Sequence, residues 1–308
     1  MLRIVAVGEA MLELAREGTG WRLGYGGDTL NMAIHCSRLG HSTAYFSALG
    51  DDPFSAAMRE QLKPEGLDLS LTLTDPARPT GLYAIATDGA GERSFTYWRS
   101  GSAASALISQ PAFEQMAERC LEADLFFFSL ISLAILSKEG RTRMLELISQ
   151  VRASGARIAF DGNYRSQLWE DSKTARRWRD AGAALADFGL PSLDDELVLG
   201  GFESAAEIVR HWRSIGTKEV VVKLGAAGCF VDEGETVAPV ERLEAVDTSG
   251  AGDAFDAGYL SARLRGLPKR TAAARANRLA GWVAMRNGAI PPIDRFAPYP
   301  ALGREAAI

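Results

Sequence analysis

Short apolar runs alternate with segments of helical period along most of the chain, and this alternation constrains the fold more than any other feature. Strands that alternate with helices form mostly parallel sheets with helices on both faces. The sequence therefore predicts an α/β fold, a three-layer α/β/α sandwich around a mostly parallel sheet. The predicted strands are Ile4 to Val7, Ala44 to Ala48, Leu125 to Ser129, Arg157 to Phe160 and Val220 to Leu224. The predicted helices are Leu30 to Leu39, Glu139 to Ala153, Ala205 to Ser214 and Ala254 to Arg265.

Two pairs of short strands break this alternation, and each pair is joined by a glycine-containing turn typical of a β-hairpin. The pairs are Leu82 to Thr87 with Arg93 to Trp98, around Asp88 to Glu92, and Met11 to Leu14 with Trp21 to Tyr25, around Gly18 to Gly20. They predict a small separate sheet, with strands within about residues 9–26 and 80–100 of a single domain that spans residues 1–308. One face of that sheet needs a cover, which predicts a lid, a dimer contact or both.

Length, charge and hydropathy exclude several classes of protein. A chain of 308 residues with 47% hydrophobic residues can bury a large globular core. The net charge is −5 and no basic run occurs, so no nucleic-acid partner is expected. No apolar run approaches the ~20 residues that span a bilayer, and the N-terminus lacks a signal-peptide pattern, so no membrane association is expected.

The cysteines and histidines carry no chemical signature. Cys36, Cys120 and Cys229 lack CxxC spacing and lie in apolar contexts. They are predicted to be reduced core residues, which favours a cytoplasmic location. His35 and His211 lie within predicted helices and are interpreted as structural.

The stretch Asp247-Thr-Ser-Gly-Ala-Gly-Asp253, directly before a predicted helix, is the sharpest chemical signal. Gly250 and Gly252 permit tight backbone geometry and leave amide N–H groups exposed at a helix N-terminus, where a phosphoryl group can bind. A carboxylate at that place can accept the proton of an attacking hydroxyl during phosphoryl transfer. The alternative interpretation is an aspartate that caps the helix after a glycine turn.

A second glycine-rich stretch, Gly24-Tyr-Gly-Gly-Asp-Thr-Leu-Asn31, opens the first predicted helix. Its glycines let the backbone approach a ligand, and Asp28 and Asn31 offer polar groups to hydroxyls. The glycines are not spaced GxGxxG and do not follow the first strand directly, which argues against a dinucleotide site. The alternative is a glycine loop with an asparagine in the first helical turn.

Polar residues also follow two predicted strands at their carboxyl ends, where α/β sheets bind ligands. Asp161-Gly-Asn-Tyr-Arg165 follows one strand, and Arg165 can meet an anionic substrate or a phosphate, or be an ordinary surface residue. Lys223-Leu-Gly-Ala-Ala-Gly228 follows the other, and it can border a nucleotide or form a simple hairpin turn. Both pairs of interpretations stay open at this point.

Together, GGDTLN near the N-terminus and DTSGAGDAF near the C-terminus resemble the two signatures of the ribokinase-like (PfkB-type) sugar kinases. The resemblance covers essentially the whole chain. It implies a central α/β/α layer with a small β-sheet lid, ATP and Mg²⁺ as cofactors, and a homodimer joined through the lids. A monovalent cation such as K⁺ is a further option.

The resemblance also implies roles for individual residues. Asp253 resembles the family base, and its anion hole corresponds to Gly250, Ala251 and Gly252. Sugar-contact positions correspond to Gly26, Gly27, Asp28 and Asn31, and positions that border the nucleotide to Ser192, Lys223, Gly225, Gly228 and Asn277. Many relatives carry Asn-x-x-Glu near the metal, whereas this chain has Leu193-Asp-Asp-Glu196. Glu196 is still expected to organise Mg²⁺ indirectly, through water.

Several stretches, among them GEAMLEL, GERSFTYWR, FDGNYR and LDDE, resemble one branch of the family, the 2-keto-3-deoxygluconate kinases. That substrate has a carboxylate and a ketone at one end and a primary hydroxyl at the other. Its pocket should hold cationic and aromatic groups far from the base, and the candidates are Tyr83, Tyr97, Arg99 and Arg165. The implied reaction transfers the γ-phosphoryl group of ATP to the C6 hydroxyl.

Three alternatives compete with this interpretation. A fructokinase-like kinase of neutral sugars would share the fold and the base. A catalytically silent ligand-binding relative is disfavoured by the intact Asp253 and its glycine loop, and a nicotinamide-dependent enzyme by the missing fingerprint. The P-loop, HRD/DFG, HExxH and CxxC patterns are absent, which argues against those classes.

Overall fold

Residues 2–87, 93–231, 234–240 and 243–303 are described by the structure, which is a computed structural model. The predicted turn from Asp88 to Glu92 lies outside the described residues. The strands within the described residues are β1 (Arg3–Val7), β2 (Met11–Glu17), β3 (Gly20–Gly26), β4 (Ser42–Gly50), β5 (Thr72–Asp75), β6 (Gly81–Thr87), β7 (Arg93–Trp98), β8 (Leu125–Ser129), β9 (Arg157–Asp161), β10 (Phe188–Gly189), β11 (Glu219–Lys223), β12 (Cys229–Val231) and β13 (Glu235–Val237). The helices are α1 (Asp28–Arg38), α2 (Pro53–Leu62), α3 (Phe113–Cys120), α4 (Leu130–Ala134), α5 (Lys138–Ala153), α6 (Ser172–Leu185), α7 (Leu193–Gly200), α8 (Ala205–Ser214), α9 (Ala251–Leu264), α10 (Lys269–Ala284) and α11 (Tyr299–Leu302).

The larger sheet has the strand order β13-β12-β11-β10-β9-β8-β1-β4-β5 in the described part of the chain. Its strands from β11 to β5 pair in parallel, and β12 and β13 continue it as antiparallel strands at one edge. Because successive side chains of a strand point to opposite faces, Ile4 and Ala6 pack in one hydrophobic cluster and Val5 and Val7 in another. Helices α1, α9 and α10 cover the first face, and α5, α6 and α8 cover the second. The predicted three-layer sandwich with a mostly parallel sheet is confirmed.

Helix starts agree with the sequence where a capping side chain marks them. Ser137 caps α5 and Ser204 caps α8, and each side chain accepts a hydrogen bond from a backbone amide of the first turn. Helix α9 begins at Ala251, three residues before the predicted start, because the glycine loop itself makes the first turn. Strand β11 ends at Lys223, so Leu224 lies just beyond it.

The two hairpins form the small sheet, in the order β3-β2-β6-β7 within the described residues. β2 pairs antiparallel with β3, β6 antiparallel with β7, and β2 parallel with β6. The register places Trp21, Leu23 and Trp98 on one face and Glu13 and Tyr83 on the other. Trp21 is 54% and Trp98 57% exposed, so the first face is apolar and open.

The structure also bears on the expectations about the cysteines and about membrane spans. Cys36, Cys120 and Cys229 are buried and form no disulfide. Of the helices in the described ranges, none combines the length and the hydropathy that a membrane span requires.

Candidate active site

The two glycine-rich stretches meet at the carboxyl edge of the larger sheet. Helices α1 and α9 begin there and pack against each other, next to the ends of β9 and β11. Asn31 Nδ2 donates a hydrogen bond of 2.7 Å to Asp253 Oδ2. Residues 222 positions apart in sequence thus share one polar contact, so the candidate sugar-binding helix touches the candidate base.

The carboxyl group of Asp253 is directed toward α1 and not back to its own helix. Asp253 is the third residue of α9, and no side chain of the described residues caps that helix, whose N-cap is Gly250. The interpretation of Asp253 as a helix cap is therefore wrong. Burial and the negative charge of Asp28 raise the pKa of Asp253 to about 8, although the hydrogen bond from Asn31 opposes the rise.

The loop before α9 is held in place by the segment at residues 288–289. Gly250 has a φ of +71°, and a Cβ there would lie 2.4 Å from Ala289 Cβ. His35 Nε2 lies 3.1 Å from Ala289 O, which can only accept, so the ring donates from Nε2. Burial and the charge of Arg38 lower the pKa of His35 to about 3, which keeps the ring neutral and structural as predicted. First-turn amides of α9 are thus fixed and free of side-chain caps within the described residues, as an anion site requires.

Lys223 places a positive charge beside this anion site. Its Nζ lies 2.9 Å from Asp161 Oδ1 and 3.1 Å from Asp256 Oδ1. A Cβ on Gly252 would be 3.8 Å from the same Nζ, so the ammonium lies beneath the first turn of α9. Burial lowers the pKa of Lys223, but the two carboxylates outweigh it and raise the pKa, so the ammonium stays charged. The structure therefore puts Lys223 under the first turn of α9, at the candidate anion site.

The candidate sugar side is narrow, and it depends on Gly26 and Gly27. A Cβ on Gly26 would lie 2.6 Å from Tyr83 Oη, and one on Gly27, whose φ is +144°, would lie 2.2 Å from Glu9 O. Tyr83 Oη in turn donates 2.5 Å to Glu13 Oε2. No larger residue fits at either glycine without a shift of its neighbours.

Two further residues, which the sequence did not single out, contact the polar side chains of this site. Asn163 Nδ2 donates 3.1 Å to Asp28 Oδ2, which joins the end of β9 to the start of α1. Asp256 lies three positions after Asp253 on α9 and contacts Lys223. Helical spacing from Asp253 was the signal that could have pointed to Asp256.

The two candidate arginines both face acidic partners. Arg99 forms an ion pair with Glu9, and its side chain is 10% exposed. Arg165 lies 3.5 Å from Asp195, donates 2.7 Å to Tyr164 O, and keeps 47% of its side chain exposed. Tyr97 is half exposed, and its ring centroid lies 6.0 Å from that of Tyr83. Arg99, Tyr83 and Tyr97 thus belong to the small sheet or its end, whereas Arg165 follows β9 of the larger sheet.

Of the residues expected to border a nucleotide, Asn277 and Gly228 lie next to the same backbone carbonyl, that of Val237. Asn277 Nδ2 donates 2.8 Å to Val237 O, and a Cβ on Gly228, whose φ is +91°, would lie 2.2 Å from the same oxygen. Gly225 opens the short turn between β11 and β12. Ser192 caps α7 and is bridged to Lys223, at the neighbouring strand end. This part of the site is a hairpin edge packed on α10.

Glu196 does not lie where a metal can reach it. Arg179 Nη1 contacts one carboxyl oxygen and Trp212 Nε1 donates 3.1 Å to the other. The side chain is 1% exposed, so its oxygens do not face the solvent from which a hydrated ion would approach. The expected water-mediated role of Glu196 is corrected by this burial, since sequence spacing does not reveal the side of α7 that faces the interior. Asp195, one residue earlier, faces Arg165 and Asp161 instead.

Comparison with known proteins identifies the family and the fold. The sequence model of the pfkB family carbohydrate kinases matches residues 1–295. The chain belongs to the pfkB family. A 2-dehydro-3-deoxygluconokinase of Dickeya dadantii (strain 3937) is 37% identical over 301 residues, which cover 94% of this chain and 97% of the relative.

Solved structures of pfkB family kinases have the same fold. A PfkB protein from Polaromonas sp. JS666 superposes with a TM-score of 0.83 at 28% identity, over 94% of this chain and 97% of that one. A fructokinase double mutant from Vibrio cholerae O395, solved with fructose, ADP and a potassium ion, has a TM-score of 0.82 at 25% identity and covers 99% of both chains. This pfkB family member therefore has the ribokinase-like fold that its two glycine motifs imply.

Proposed function

We propose that this pfkB family kinase transfers the γ-phosphoryl group of ATP to the C6 hydroxyl of 2-keto-3-deoxygluconate (2-dehydro-3-deoxygluconate), giving 2-keto-3-deoxy-6-phosphogluconate. The observation that carries the reaction is the position of Asp253, in the first turn of α9 and in contact with Asn31. An anion site and a candidate sugar site thus share one carboxylate. The relative named 2-dehydro-3-deoxygluconokinase supports this choice of acceptor.

In the proposed mechanism, Asp253 accepts the proton of the C6 hydroxyl as the phosphoryl group moves in line toward that oxygen. Asn31 holds the carboxylate toward the acceptor through its 2.7 Å hydrogen bond. Amides of residues 250–253 and the ammonium of Lys223 stabilise the negative charge that develops on the phosphoryl oxygens. Closure of the small sheet would exclude water, which otherwise competes as an acceptor.

The residues present fit a hydrated Mg²⁺ ion that is bound mainly through phosphates. Within the described ranges, no three His, Cys, Asp or Glu side chains form a metal-binding cluster. Burial raises the pKa of Asp195 and the charge of Asp161 adds to the rise, whereas the charge of Arg165 opposes it. Asp161 and Asp195 would hold the waters of Mg²⁺, which would neutralise phosphate charge. A role for K⁺ and a cytoplasmic location stay predictions.

The first test of the function is ADP release from MgATP with a panel of acceptors. The panel contains 2-keto-3-deoxygluconate, its galactonate epimer, 3-deoxyfructose, fructose, ribose and adenosine. 3-Deoxyfructose replaces the carboxylate of the proposed acceptor by a hydroxymethyl group. Turnover confined to the keto acids supports the proposal. Equal turnover of 3-deoxyfructose or fructose would replace it by a neutral-sugar kinase, and no turnover of any acceptor would favour a silent binder.

Arg165→Ala should reduce kcat/KM for 2-keto-3-deoxygluconate by about tenfold or more, chiefly through KM, and leave that for 3-deoxyfructose almost unchanged. The reason is that the half-exposed guanidinium can pair with the substrate carboxylate. Arg157→Ala is the matched control, because this exposed arginine begins β9 at the opposite edge of the sheet. Equal losses on both acceptors would assign Arg165 to the phosphates instead.

We also propose that a second copy of the chain covers the open face of the small sheet. Trp21, Leu23 and Trp98 form an exposed apolar face there, and the resemblance implies a dimer through the lids. Sedimentation velocity should give a dimer for the natural chain and a monomer for Trp98→Glu. A monomeric natural chain at micromolar concentration would contradict this interface.

A further inference from the structure

We infer that Glu9 is a positioning residue that holds Arg99 at the base of the small sheet, so that Arg99 can bind the carboxylate of the acceptor. This inference rests on the proposed function and extends it to a second arginine, Arg99, which would bind the acceptor carboxylate in addition to Arg165. Glu9 follows β1 and is 1% exposed. It has no place in phosphoryl transfer itself, since Asp253 supplies the base.

The chain passes between the large and the small sheet four times, and all four passages meet at Glu9. Glu9 itself lies on the first, between β1 and β2. On the second, between β3 and α1, a Cβ on Gly27 would lie 2.2 Å from Glu9 O. On the third, at the start of β6, a Cβ on Gly81 would lie 2.6 Å from Glu9 Oε1. On the fourth, after β7, Arg99 pairs with Glu9 and Ser102 Oγ donates 2.5 Å to Glu9 Oε1.

Unpaired polar atoms mark the same place. In the described ranges, the buried side-chain nitrogen and oxygen atoms without a hydrogen bond are Glu9 Oε2, Arg99 Nε and Asn31 Oδ1. Glu9 Oε2 is nonetheless in close contact with a partner, because it forms the ion pair with Arg99. Buried polar groups in native proteins almost always have partners, so the two atoms without such a contact, Arg99 Nε and Asn31 Oδ1, indicate a missing ligand.

The chemistry of these atoms matches an acidic sugar. Arg99 Nε can only donate, and a carboxylate is its strongest acceptor. Asn31 Oδ1 can only accept, and a sugar hydroxyl can supply the hydrogen. Arginine carries a long flexible stem, and its ion pair with Glu9 restricts the guanidinium before the substrate arrives. A neutral acceptor offers Arg99 Nε only an uncharged oxygen, which accepts a weaker hydrogen bond than a carboxylate does and so binds less tightly.

The inference is tested with Glu9→Gln, Arg99→Met and the double variant of the full-length protein. Glu9→Gln should raise KM for 2-keto-3-deoxygluconate about tenfold, with KM for ATP and kcat within about threefold of the natural enzyme. Its kcat/KM for 3-deoxyfructose should change less than about twofold. In the Arg99→Met background the same change at Glu9 should have less than about a twofold effect, because its action passes through Arg99.

Glu219→Gln is the matched control, since Glu219 is a buried glutamate that also pairs with an arginine and a hydroxyl, Arg263 and Tyr259, away from the site. It should change stability without changing the preference for the acid. If Glu9→Gln does not fold, Ser102→Ala provides the second variant, and it should raise KM for the acid about threefold by loosening Glu9.

Four outcomes would contradict the inference or the proposed function on which it rests. Equal losses on the acid and on 3-deoxyfructose, or a full effect of Glu9→Gln without Arg99, would overturn the positioning role and leave Glu9 as a support of the fold. A Ser102→Ala enzyme with unchanged KM would overturn it as well. A natural enzyme that does not phosphorylate the keto acid would overturn the proposed function first, before any variant is compared.

Discussion

Asp253→Asn is expected to lower kcat by about 10³-fold while KM for ATP stays within about threefold. The asparagine keeps the shape of the side chain and can still accept the hydrogen bond from Asn31, but it cannot take a proton from the acceptor hydroxyl. Asp171→Asn is the matched control, because Asp171 caps α6 and asparagine caps helices equally well. Near-normal turnover of Asp253→Asn would remove Asp253 from the role of the base.

The same substitution should make the protein more stable at neutral pH. The pKa of Asp253 is raised from 3.8 to about 8, so the folded state binds this proton more tightly than the unfolded chain does. The natural protein therefore loses stability as the pH rises between about 4 and 8, and the asparagine variant lacks this loss. We expect Tm of the variant to exceed that of the natural protein by about 2–5 °C at pH 8, and by less at pH 5. An equal Tm difference at both values would contradict the raised pKa.

Activity should follow the opposite trend with pH. Asp253 acts as a base only when it is ionised, so kcat/KM of the natural enzyme should fall as the pH falls below about 8. The pH profile of kcat/KM reports the pKa of this group in the free enzyme. Substrate-bound Mg²⁺ would favour the carboxylate, so kcat should hold to lower pH than kcat/KM does.

Gly250→Ala is expected to lower kcat/KM at least about 10²-fold and to reduce Tm by several degrees. The φ of +71° disfavours any residue with a Cβ, and the added methyl would lie 2.4 Å from Ala289 Cβ and 2.7 Å from Ala289 Cα. Ala289 belongs to a segment that His35 and Asp247 hold in place through hydrogen bonds, so the loop before α9 has to move instead. A shift of the first-turn amides misplaces both the anion site and Asp253.

Gly266→Ala is the control that separates the cost of a positive φ from the displacement of the loop before α9. Gly266 follows the other end of α9 with a φ of +79°, and apart from its chain neighbours no atom of the described residues lies within 4 Å of a Cβ placed there. This variant should lose about 1 kcal/mol of stability and keep the activity of the natural enzyme. If Gly250→Ala kept the same kcat/KM as Gly266→Ala, the close contact between residues 250 and 289 would have no catalytic importance.

Local sequence chemistry predicted much of this molecule because the relevant signals act over short distances. Alternating strand and helix patterns predicted the three layers, and glycine turns between apolar strands predicted both hairpins of the small sheet. Two glycines at the start of a helix predicted exposed amides at the N-terminus of α9 for the same reason, since a positive φ at Gly250 and exposed amides are properties of the backbone itself. Resemblance to known kinases then placed Asp253 in the base position.

The site residues that the sequence misjudged or missed all depend on contacts over long sequence distances. Glu196 is an acid in the first turn of α7, and only its packing against Arg179 and Trp212 shows that it is structural. Glu9 is one acid after a strand, and only the tertiary structure brings four chain passages around it.

The sequence by itself therefore determined the layers, the hairpins and the backbone shape of the anion site. Only the tertiary structure decided which carboxylates face the ligand, which are bound to arginine, and that Asn31 lies 2.7 Å from Asp253. The physical reason is that backbone geometry follows from neighbouring residues, whereas the charge, burial and pKa of a side chain follow from whatever the fold packs against it.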